Sequence, residues 1–251
     1  MQEGKFIWMD GEFVKWHEAK VHVLAHSLHY GVTVFEGIRC YKTSKGSVIF
    51  RLREHMERLV NSCKIMQMDL KFSLEETIRA AIDTVKKNEY QECYIRPIAF
   101  RGYGDLGVYP KNNPINLAIA VWPWGKYLGE EAFTKGARIK TSSYTRYHPN
   151  TQLIKAKMGG NYANGQLAKM EAIKDGYEEA LLLTPEGYVA EGSGENIFIV
   201  RNKVLYTPSS AFALEGITRD SIMHIAEDLN IKVVETILTR DQIYIADEAF
   251  F

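Results

Sequence analysis

The stretch AKMGGNY at residues 156–162 places one lysine, Lys157, between small and apolar residues and directly before a predicted helix. An amine with such neighbours is poorly hydrated, which favours the neutral form that a lysine needs in order to bond a carbonyl group. Most single lysines are hydrated surface groups, so local chemistry alone favours that ordinary interpretation. The stretch becomes informative through the segments that follow it.

Two segments downstream of Lys157 have groups suited to catalysis and anion binding. EGSGEN at residues 191–196 holds two carboxylates in a glycine-rich turn between predicted strands. GITRD at residues 216–220 opens a predicted helix, where backbone amides, the helix dipole and the Thr218 hydroxyl suit an anion. Each segment also has an ordinary interpretation, namely a polar loop and a helix N-cap at Thr218.

The pattern outside these segments predicts an α+β protein with two domains. An Asp10–Gly11 turn between short apolar runs is typical of a hairpin. Helical spacing follows at residues 53–66, and a capping box at Ser73 precedes a second helix. Strands and helices without a regular βαβ alternation favour α+β. Residues 1–122 are assigned to an N-terminal domain, 123–130 to a linker and 131–251 to a C-terminal domain that carries Lys157.

Two helices are predicted in the C-terminal domain. One runs from about Tyr162 to Lys174 and has Gly176 just beyond its end. The other covers residues 218–229 and is amphipathic. Its spacing predicts four inward-facing side chains, which are Ile222, Ile225, Ala226 and Leu229.

Composition excludes several classes of protein. The chain has 251 residues, is 46% hydrophobic and balances 31 basic with 31 acidic residues, so no nucleic-acid partner is implied. No apolar run reaches the about 18 residues of a membrane-spanning helix, and no signal peptide is visible. Three distant cysteines (Cys40, Cys63 and Cys93) argue against a disulfide scaffold and predict a reducing cytoplasm.

Three histidines near the N-terminus have a spacing that a metal ion can use. They are His22, His26 and His29. No carboxylate or cysteine clusters with them in the sequence, so no metal site is predicted.

Seven segments in this order resemble the fold-type IV pyridoxal-phosphate enzymes, and within them the branched-chain amino-acid aminotransferases. The resemblance runs from about Ile7 to the last residue. Each segment alone is a weak signal, but their joint order makes coincidence an inadequate explanation. The segments are FEGIRCY (35–41), REHMERL (53–59), YIRP (94–97), WGKYLG (124–129), AKMGGNY (156–162), EGSGEN (191–196) and GITRD (216–220).

The resemblance implies an enzyme that uses pyridoxal 5′-phosphate to exchange amino groups between Leu, Ile or Val and 2-oxoglutarate. By similarity, Lys157 bonds the cofactor and moves a proton at the substrate α-carbon. Glu191 pairs with the pyridine nitrogen, Tyr162 with the phenolic oxygen, and Arg58 with the phosphate as a bidentate fork. The remaining cofactor contacts implied are Leu214 against the ring and the amides of Ile217 and Thr218, with the Thr218 hydroxyl, at the phosphate.

The resemblance also implies a substrate pocket with apolar walls, because branched side chains offer no hydrogen bonds. Some walls come from a neighbouring subunit in this family, so a homodimer or larger homo-oligomer is implied. Tyr94 and Arg96 resemble the pair that recognises carboxylates, with Arg96 answering the side chain of glutamate. The full set of implied substrate residues is Tyr30, Phe35, Gly37, Arg39, Tyr94, Arg96, Val108, Trp124 and Tyr127.

Several alternatives remain open from the sequence. Within the same cofactor family they are a D-amino-acid aminotransferase and an aminodeoxychorismate lyase. The chain stops where the family continues into a Gly-Thr-Ala-Ala-Glu loop, so we expect a truncated sequence. That expectation keeps open a non-catalytic remnant that binds the cofactor. A globular binding module without cofactor leaves the three segments around Lys157, Glu191 and Thr218 unexplained.

Overall fold

A computed structural model describes residues 2–125 and 134–251. The chain forms two compact units, one of Met1–Gly125 with Ala156–Gly160 and the other of Lys126–Lys155 with Asn161–Phe251. The predicted linker divides between them, since residues 123–125 belong to the first unit. Residues 126–130 of that linker, with the predicted substrate residue Tyr127, lie outside the described residues.

The segment with Lys157 belongs to the first unit, whereas its position along the chain assigned it to the C-terminal domain. Backbone pairing explains the difference. Met158 forms a β-bridge with Val34, and the Phe35 amide donates to the Lys157 carbonyl at 3.1 Å. This pairing joins segments that are far apart in sequence, so no local pattern signals it.

The first unit is built on a seven-stranded sheet in the order β2-β1-β7-β6-β4-β5, with β3 also paired to β6. All of its strand pairs are antiparallel. The strands are β1 Phe6–Met9, β2 Glu12–Lys15, β3 Thr33–Phe35, β4 Ile38–Thr43, β5 Gly46–Ile49, β6 Cys93–Arg101 and β7 Ile115–Trp122; the helices are α1 His26–Tyr30, α2 Leu52–Ile65 and α3 Leu74–Lys87, with a 3-10 turn at Trp16–Glu18.

Local sequence accounts for most of these elements. Asp10 and Gly11 adopt φ of 51° and 103°, the left-handed pair that a tight hairpin turn needs. The capping box at Ser73 is present, with Glu76 bonding back to it, and α3 begins there as predicted. The apolar faces of α2 and α3 enter the core of the unit together with β6 and β7. In α2, Met56, Leu59 and Cys63 lie on one face and are buried.

The second unit has two smaller sheets. One has the order β10-β9-β8 and the other β13-β12-β11-β14. The strands are β8 Ile139–Thr141, β9 Glu179–Leu183, β10 Val189–Gly192, β11 Phe198–Arg201, β12 Val204–Pro208, β13 Val233–Thr236 and β14 Glu248–Phe250; the helices are α4 Tyr162–Lys174, α5 Ile217–Asp228 and α6 Arg240–Tyr244. A 3-10 turn at Gly159–Asn161 precedes α4, and its first two residues belong to the first unit.

Helix α4 packs on β9 through small residues. Ala168 and Ala172 are fully buried against Ala180 and Leu182 of that strand. Gly165 of α4 faces the loop after β10, and a Cβ atom there would be 2.2 Å from the carbonyl oxygen of Ser193. The loop that begins at Glu191 therefore lies directly against α4.

Helix α5 has a narrower buried face than its sequence predicts. Ala226 is 4% exposed and Ile222 packs against the core, as predicted. Ile225 and Leu229 are 55% and 64% exposed, so their predicted inward orientation is wrong. Spacing identifies an apolar stripe along a helix, but the width of the stripe that is covered depends on which elements pack against it.

Among the described residues, no helix is long and apolar enough to cross a membrane.

Replacing Gly165 with alanine tests the close approach of α4 to the Ser193 loop. Alanine in a helix normally gains about 1 kcal/mol over glycine. Here the added Cβ overlaps a backbone oxygen, so we expect a net loss of about 2 kcal/mol of unfolding free energy, measured by urea unfolding. Gly125→Ala is the control, because the added Cβ there comes within 4 Å of no atom of residues 2–125 and 134–251. Unchanged or increased stability in Gly165→Ala contradicts the packing described.

Candidate active site

Lys157 is held by backbone hydrogen bonds on both sides of its peptide. Its amide donates to the Ser62 hydroxyl of α2 at 3.0 Å, and its carbonyl accepts from Phe35. The Lys157 ammonium nitrogen lies 5.0 Å from the centroid of the Phe35 ring. Since the backbone is fixed between β3 and α2, the lysine side chain extends from a rigid base beside an aromatic face.

A buried ionic cluster lies one residue from Phe35. The Glu36 carboxylate is fully buried and accepts two hydrogen bonds from Arg58, Nε to Oε1 at 2.7 Å and Nη2 to Oε2 at 2.8 Å. His55 Nδ1 lies 2.7 Å from Oε2, and since a carboxylate only accepts, this nitrogen carries the proton. Glu54, which lies one helical turn before Arg58 on α2, accepts a hydrogen bond from Arg51 at 2.8 Å.

Burial alone raises the pKa of Glu36. The hydrogen bonds from Arg58 and His55, with the positive charges of Arg58 and Lys157, outweigh burial and lower that pKa to about 2. Glu36 is therefore a permanent negative charge in the interior of the first unit. It is balanced by cations from α2 and from the Lys157 segment.

Aromatic and arginine side chains form a second cluster around the same strand. Arg96 Nη2 donates to the Tyr94 hydroxyl at 2.9 Å, and its guanidinium lies 4.6 Å from the Phe35 ring centroid. Tyr94 packs edge-on against Trp124 with ring centroids 4.5 Å apart. Gly37 leaves room for this arrangement, because a Cβ there would lie 2.0 Å from the Tyr94 hydroxyl oxygen.

Arg39 fixes the chain that follows β7. Its guanidinium donates to the carbonyl oxygens of Trp124 and Gly125, the latter at 2.5 Å. Phe35, Gly37, Arg39, Tyr94, Arg96 and Trp124, all predicted from sequence as substrate residues, thus share one neighbourhood of the first unit.

Tyr30 and Val108 are the other predicted substrate residues of the first unit that the structure describes. Tyr30 stacks on His26, with ring centroids 4.5 Å apart, and its hydroxyl donates to the Leu106 carbonyl at 2.6 Å. Val108 is 83% exposed. Both belong to an apolar surface formed by residues 21–30 and 103–109.

In the second unit, Glu191 is the centre of a polar cluster. The register of β10 against β9 shifts between Val189 and Glu191, because β10 has one extra residue there. This bulge interrupts the regular alternation of side chains between the two faces of the sheet at Glu191. Its Oε2 accepts from the Asn196 side chain at 3.2 Å and from the Leu214 amide at 3.3 Å. Its Oε1 pairs with Arg146 at 2.5 Å.

The other predicted cofactor residues of this unit lie around Glu191 or at the start of a helix. Asn196 also donates to the Leu214 carbonyl, and its side-chain oxygen lies where a Cβ of Gly216 would be. Gly216 is the N-cap of α5, which makes Ile217 and Thr218 its first two residues. Tyr162 is the first residue of α4 and lies near Gly194.

Arg146 is a site residue that the sequence did not reveal. It is 9% exposed, pairs with Glu191 and lies over the Tyr147 ring, 4.2 Å from the centroid. Burial raises the pKa of the Tyr147 phenol. An arginine in the polar stretch before the Lys157 segment carries no local signal, so only its tertiary contact with Glu191 identifies it. No role was predicted from the sequence for Asn196, the last residue of the EGSGEN segment.

The N-terminal histidines make contacts with backbone groups. His26 Nε2 lies 2.9 Å from the Gly107 carbonyl and His29 Nε2 lies 2.9 Å from the Val23 carbonyl. His22 Nδ1 accepts from the Leu24 amide. Within residues 2–125 and 134–251, no group of three or more candidate ligands is arranged to hold a metal ion.

Comparison with known proteins gives the class of this fold and site. The amino-transferase class IV family matches residues 33–251. The chain belongs to the class IV aminotransferases, and the α+β architecture predicted from its sequence is confirmed.

The similar proteins narrow the class further. The chain is 49% identical over 245 residues to the branched-chain-amino-acid aminotransferase of Pseudomonas aeruginosa, covering 98% of this chain and 80% of the relative. It matches the crystal structure of the Escherichia coli branched-chain amino acid aminotransferase with a TM-score of 0.97 at 46% identity, covering 99% and 82% of the two chains. The T.th. branched-chain amino acid aminotransferase complexed with N-(5′-phosphopyridoxyl)-L-glutamate matches with a TM-score of 0.95 at 51% identity, covering 100% and 82%.

Glu195 is a second carboxylate of the Glu191 loop and has the opposite electrostatic situation to Glu36. Burial raises its pKa to about 7, and the negative charge of Glu179 adds to the effect. Its Oε2 accepts from the Gly194 amide, but its buried Oε1 has no hydrogen-bond partner among the described residues. Near neutral pH this group holds a proton that an exposed glutamate has lost.

Glu195→Gln is therefore expected to stabilise the protein at pH 8. The folded state keeps the proton between pH 4.5 and 7 while the unfolded chain loses it, so stability falls as pH rises through that window. The glutamine removes this loss, a gain of up to about 3 kcal/mol at pH 8 that disappears towards pH 4.5. Urea unfolding between pH 5 and 8 measures it, with exposed Glu227→Gln as control. Parallel pH curves for Glu195→Gln and the unsubstituted protein contradict the assignment.

Proposed function

We propose that this protein catalyses pyridoxal-phosphate-dependent transfer of amino groups between the branched-chain L-amino acids Leu, Ile and Val and 2-oxoglutarate. The products are branched 2-oxo acids and L-glutamate. The observation that carries the proposal is the 49% identity over 98% of the chain to a relative with this named activity. The phosphopyridoxyl-glutamate complex of a second similar protein supports both the cofactor and the glutamate side of the reaction.

The residues present suit the cofactor chemically. Its phosphate is a dianion that guanidinium groups and backbone amides bind well. Arg58 offers a donor of the first kind, and the first turn of α5 (Ile217 and Thr218) offers donors of the second kind. Its protonated ring nitrogen needs a buried carboxylate, and Glu191 is 6% exposed. The buried hydroxyl of Tyr147 has no partner among the described residues, as expected beside a site for a polar group.

Bound pyridoxal phosphate supplies an electron sink for the electron pair released when the α-carbon loses its proton. Lys157 would bond the cofactor, and its amine, when free, would take up and return the proton at the α-carbon. Glu191 would keep a proton at the ring nitrogen, and donors from Asn196, Leu214 and Arg146 hold its carboxylate in place. Tyr162 would donate to the phenolic oxygen, and Leu214 would pack on the ring.

The cluster around Phe35 and Tyr94 suits both halves of the reaction. Phe35 and Trp124 offer apolar surface to a branched side chain, while Arg96 and Tyr94 offer donors to a carboxylate. Because the Arg96 guanidinium already lies over the Phe35 ring, a modest side-chain rotation exchanges an aromatic contact for a carboxylate contact. One pocket can thus accept an apolar amino acid and glutamate in turn.

Visible absorption tests the cofactor, the lysine and the substrate together. Purified protein mixed with pyridoxal phosphate is expected to show the band of a lysine-bound cofactor, and L-leucine is expected to convert it to the amino form. Lys157→Ala abolishes the band because the bonding amine is gone. Lys155→Ala is the control and is expected to keep the band. Lys155 lies two positions before Lys157 and pairs with Glu215.

Two outcomes of that experiment contradict the proposal in different ways. A band of equal strength in Lys157→Ala removes that residue from its role. A faster conversion by D-leucine than by L-leucine favours the D-amino-acid aminotransferase, and a band that no amino acid alters favours a cofactor-binding remnant.

We also propose that the protein works as a homodimer in the cytoplasm. The apolar surface of residues 21–30 and 103–109 supports the dimer, with Val23 67%, Leu28 65% and Val108 83% exposed. Its two segments are tied together by the Tyr30–Leu106 and His26–Gly107 hydrogen bonds, so the surface is a defined shape. Exposed apolar area of this kind is typical of an interface. The three buried, reduced cysteines agree with a reducing compartment.

Val23→Glu is expected to weaken the dimer at least about tenfold, because it buries an uncompensated carboxylate in the interface. Sedimentation velocity over a range of protein concentrations measures the dissociation constant. Ile173→Glu, which places the same charge at a half-exposed position on α4, is the control. If Val23→Glu and the control have the same dissociation constant, the dimer interface lies on another surface.

A further inference from the structure

Glu36 is a fully buried carboxylate to which none of the catalytic steps above gives a role. It lies between Phe35 and Gly37, both of the substrate cluster, and its backbone amide bonds the Pro97 carbonyl of β6 at 2.9 Å. The peptide on either side is therefore fixed by the sheet. The side chain extends to α2, where it meets Arg58 and His55.

Stability alone is a poor reason for such a group. Removing a carboxylate from water costs several kcal/mol, and ion pairs in protein interiors are often replaced by apolar residues without loss of stability. A buried pair with good geometry does fix the orientation of its members. Glu36 accepts from Nε and Nη2, the two nitrogens along one edge of the Arg58 guanidinium, so it determines the plane of that group and the direction of the Nη1 edge.

His55 and Lys157 complete the arrangement. His55 lies one helical turn before Arg58 on α2 and holds the oxygen that Nη2 shares, which prevents the carboxylate from rotating. Lys157 is near enough for its charge to stabilise the Glu36 carboxylate. One anion thus links the arginine assigned to the phosphate with the lysine assigned to the cofactor aldehyde.

We propose that Glu36 is a positioning residue: it holds the Arg58 guanidinium, with His55 as a brace, in the orientation that binds the cofactor phosphate. The inference rests on the proposed function, because it takes pyridoxal phosphate as the ligand. In this proposal Glu36 acts on the phosphate site through Arg58 and does not itself contact the cofactor. Loss of Glu36 then weakens recognition of the phosphate specifically.

The ratio of affinities for pyridoxal phosphate and for pyridoxal isolates the contribution of the phosphate. Equilibrium dialysis of the protein, freed of cofactor, against each compound gives the two dissociation constants. In the unsubstituted protein the phosphate ester is expected to bind more tightly. Glu36→Gln, nearly the same shape without the charge, is expected to reduce that preference about tenfold, since a charge-assisted hydrogen bond is lost at Arg58. The affinity for pyridoxal changes by less than about twofold.

Three further variants separate positioning from general damage. Glu179→Gln is the matched control, because Glu179 is equally buried and pairs with Lys169 at 2.6 Å in the other unit. It is expected to lower the thermal midpoint while leaving the affinity ratio unchanged. In an Arg58→Lys background, Glu36→Gln should have little further effect on the ratio, because the planar fork that it orients is absent. His55→Ala keeps the Glu36–Arg58 pair and serves if Glu36→Gln fails to fold, with an expected reduction of about threefold.

The outcomes distinguish this inference from the proposed function. If the unsubstituted protein binds neither compound, the proposed function fails and the role of Glu36 with it. If the protein binds pyridoxal phosphate tightly but Glu36→Gln and His55→Ala keep its full preference over pyridoxal, only the positioning role is overturned. Equal losses for both compounds assign Glu36 to the stability of the first unit alone.

Discussion

The cost of burying a carboxylate is the constraint on which this structure depends most. Glu36, Glu179 and Glu191 are each less than a tenth exposed, and each has a basic partner, Arg58, Lys169 and Arg146 respectively. An unpaired charge in an interior is too costly to keep, so each pair fixes the relative position of two elements. Among the described residues Glu195 has no such partner, and its raised pKa is the other solution to the same problem.

The pairs also determine where chemistry is possible. Glu36 ties β3 to α2 beside the Lys157 segment, and Arg146 ties the loop before that segment to β10. Each of these two ion pairs holds a charged group of the proposed cofactor site in one orientation. Preorganised charge of this kind is what a catalytic site needs, because reorientation during the reaction adds to the barrier.

The sequence predicted the local elements well because their causes are local. The Asp10–Gly11 hairpin follows from two residues that tolerate a left-handed backbone, and the start of α3 follows from the Ser73–Glu76 capping box. Lys157, Glu191 and Thr218 are predicted as site residues because their segments resemble a family, not because any of them is distinctive alone. The orientation of Ile225 and Leu229 was predicted wrongly because exposure depends on neighbours that spacing along one helix does not include.

By itself, the sequence determined the α+β class, the first hairpin and four of the helices, and it proposed the groups that would bond a carbonyl, hold a ring nitrogen and bind a phosphate. Only the tertiary structure decided that Lys157 belongs with β3, that Arg58 meets Glu36, and that Arg146 supports Glu191. Propensity, capping and turn chemistry act over a few residues and can be recognised there. A partner for a buried charge is chosen by proximity in space, and the residues concerned lie 22 positions apart in sequence for the Arg58 pair and further still for the Arg146 pair.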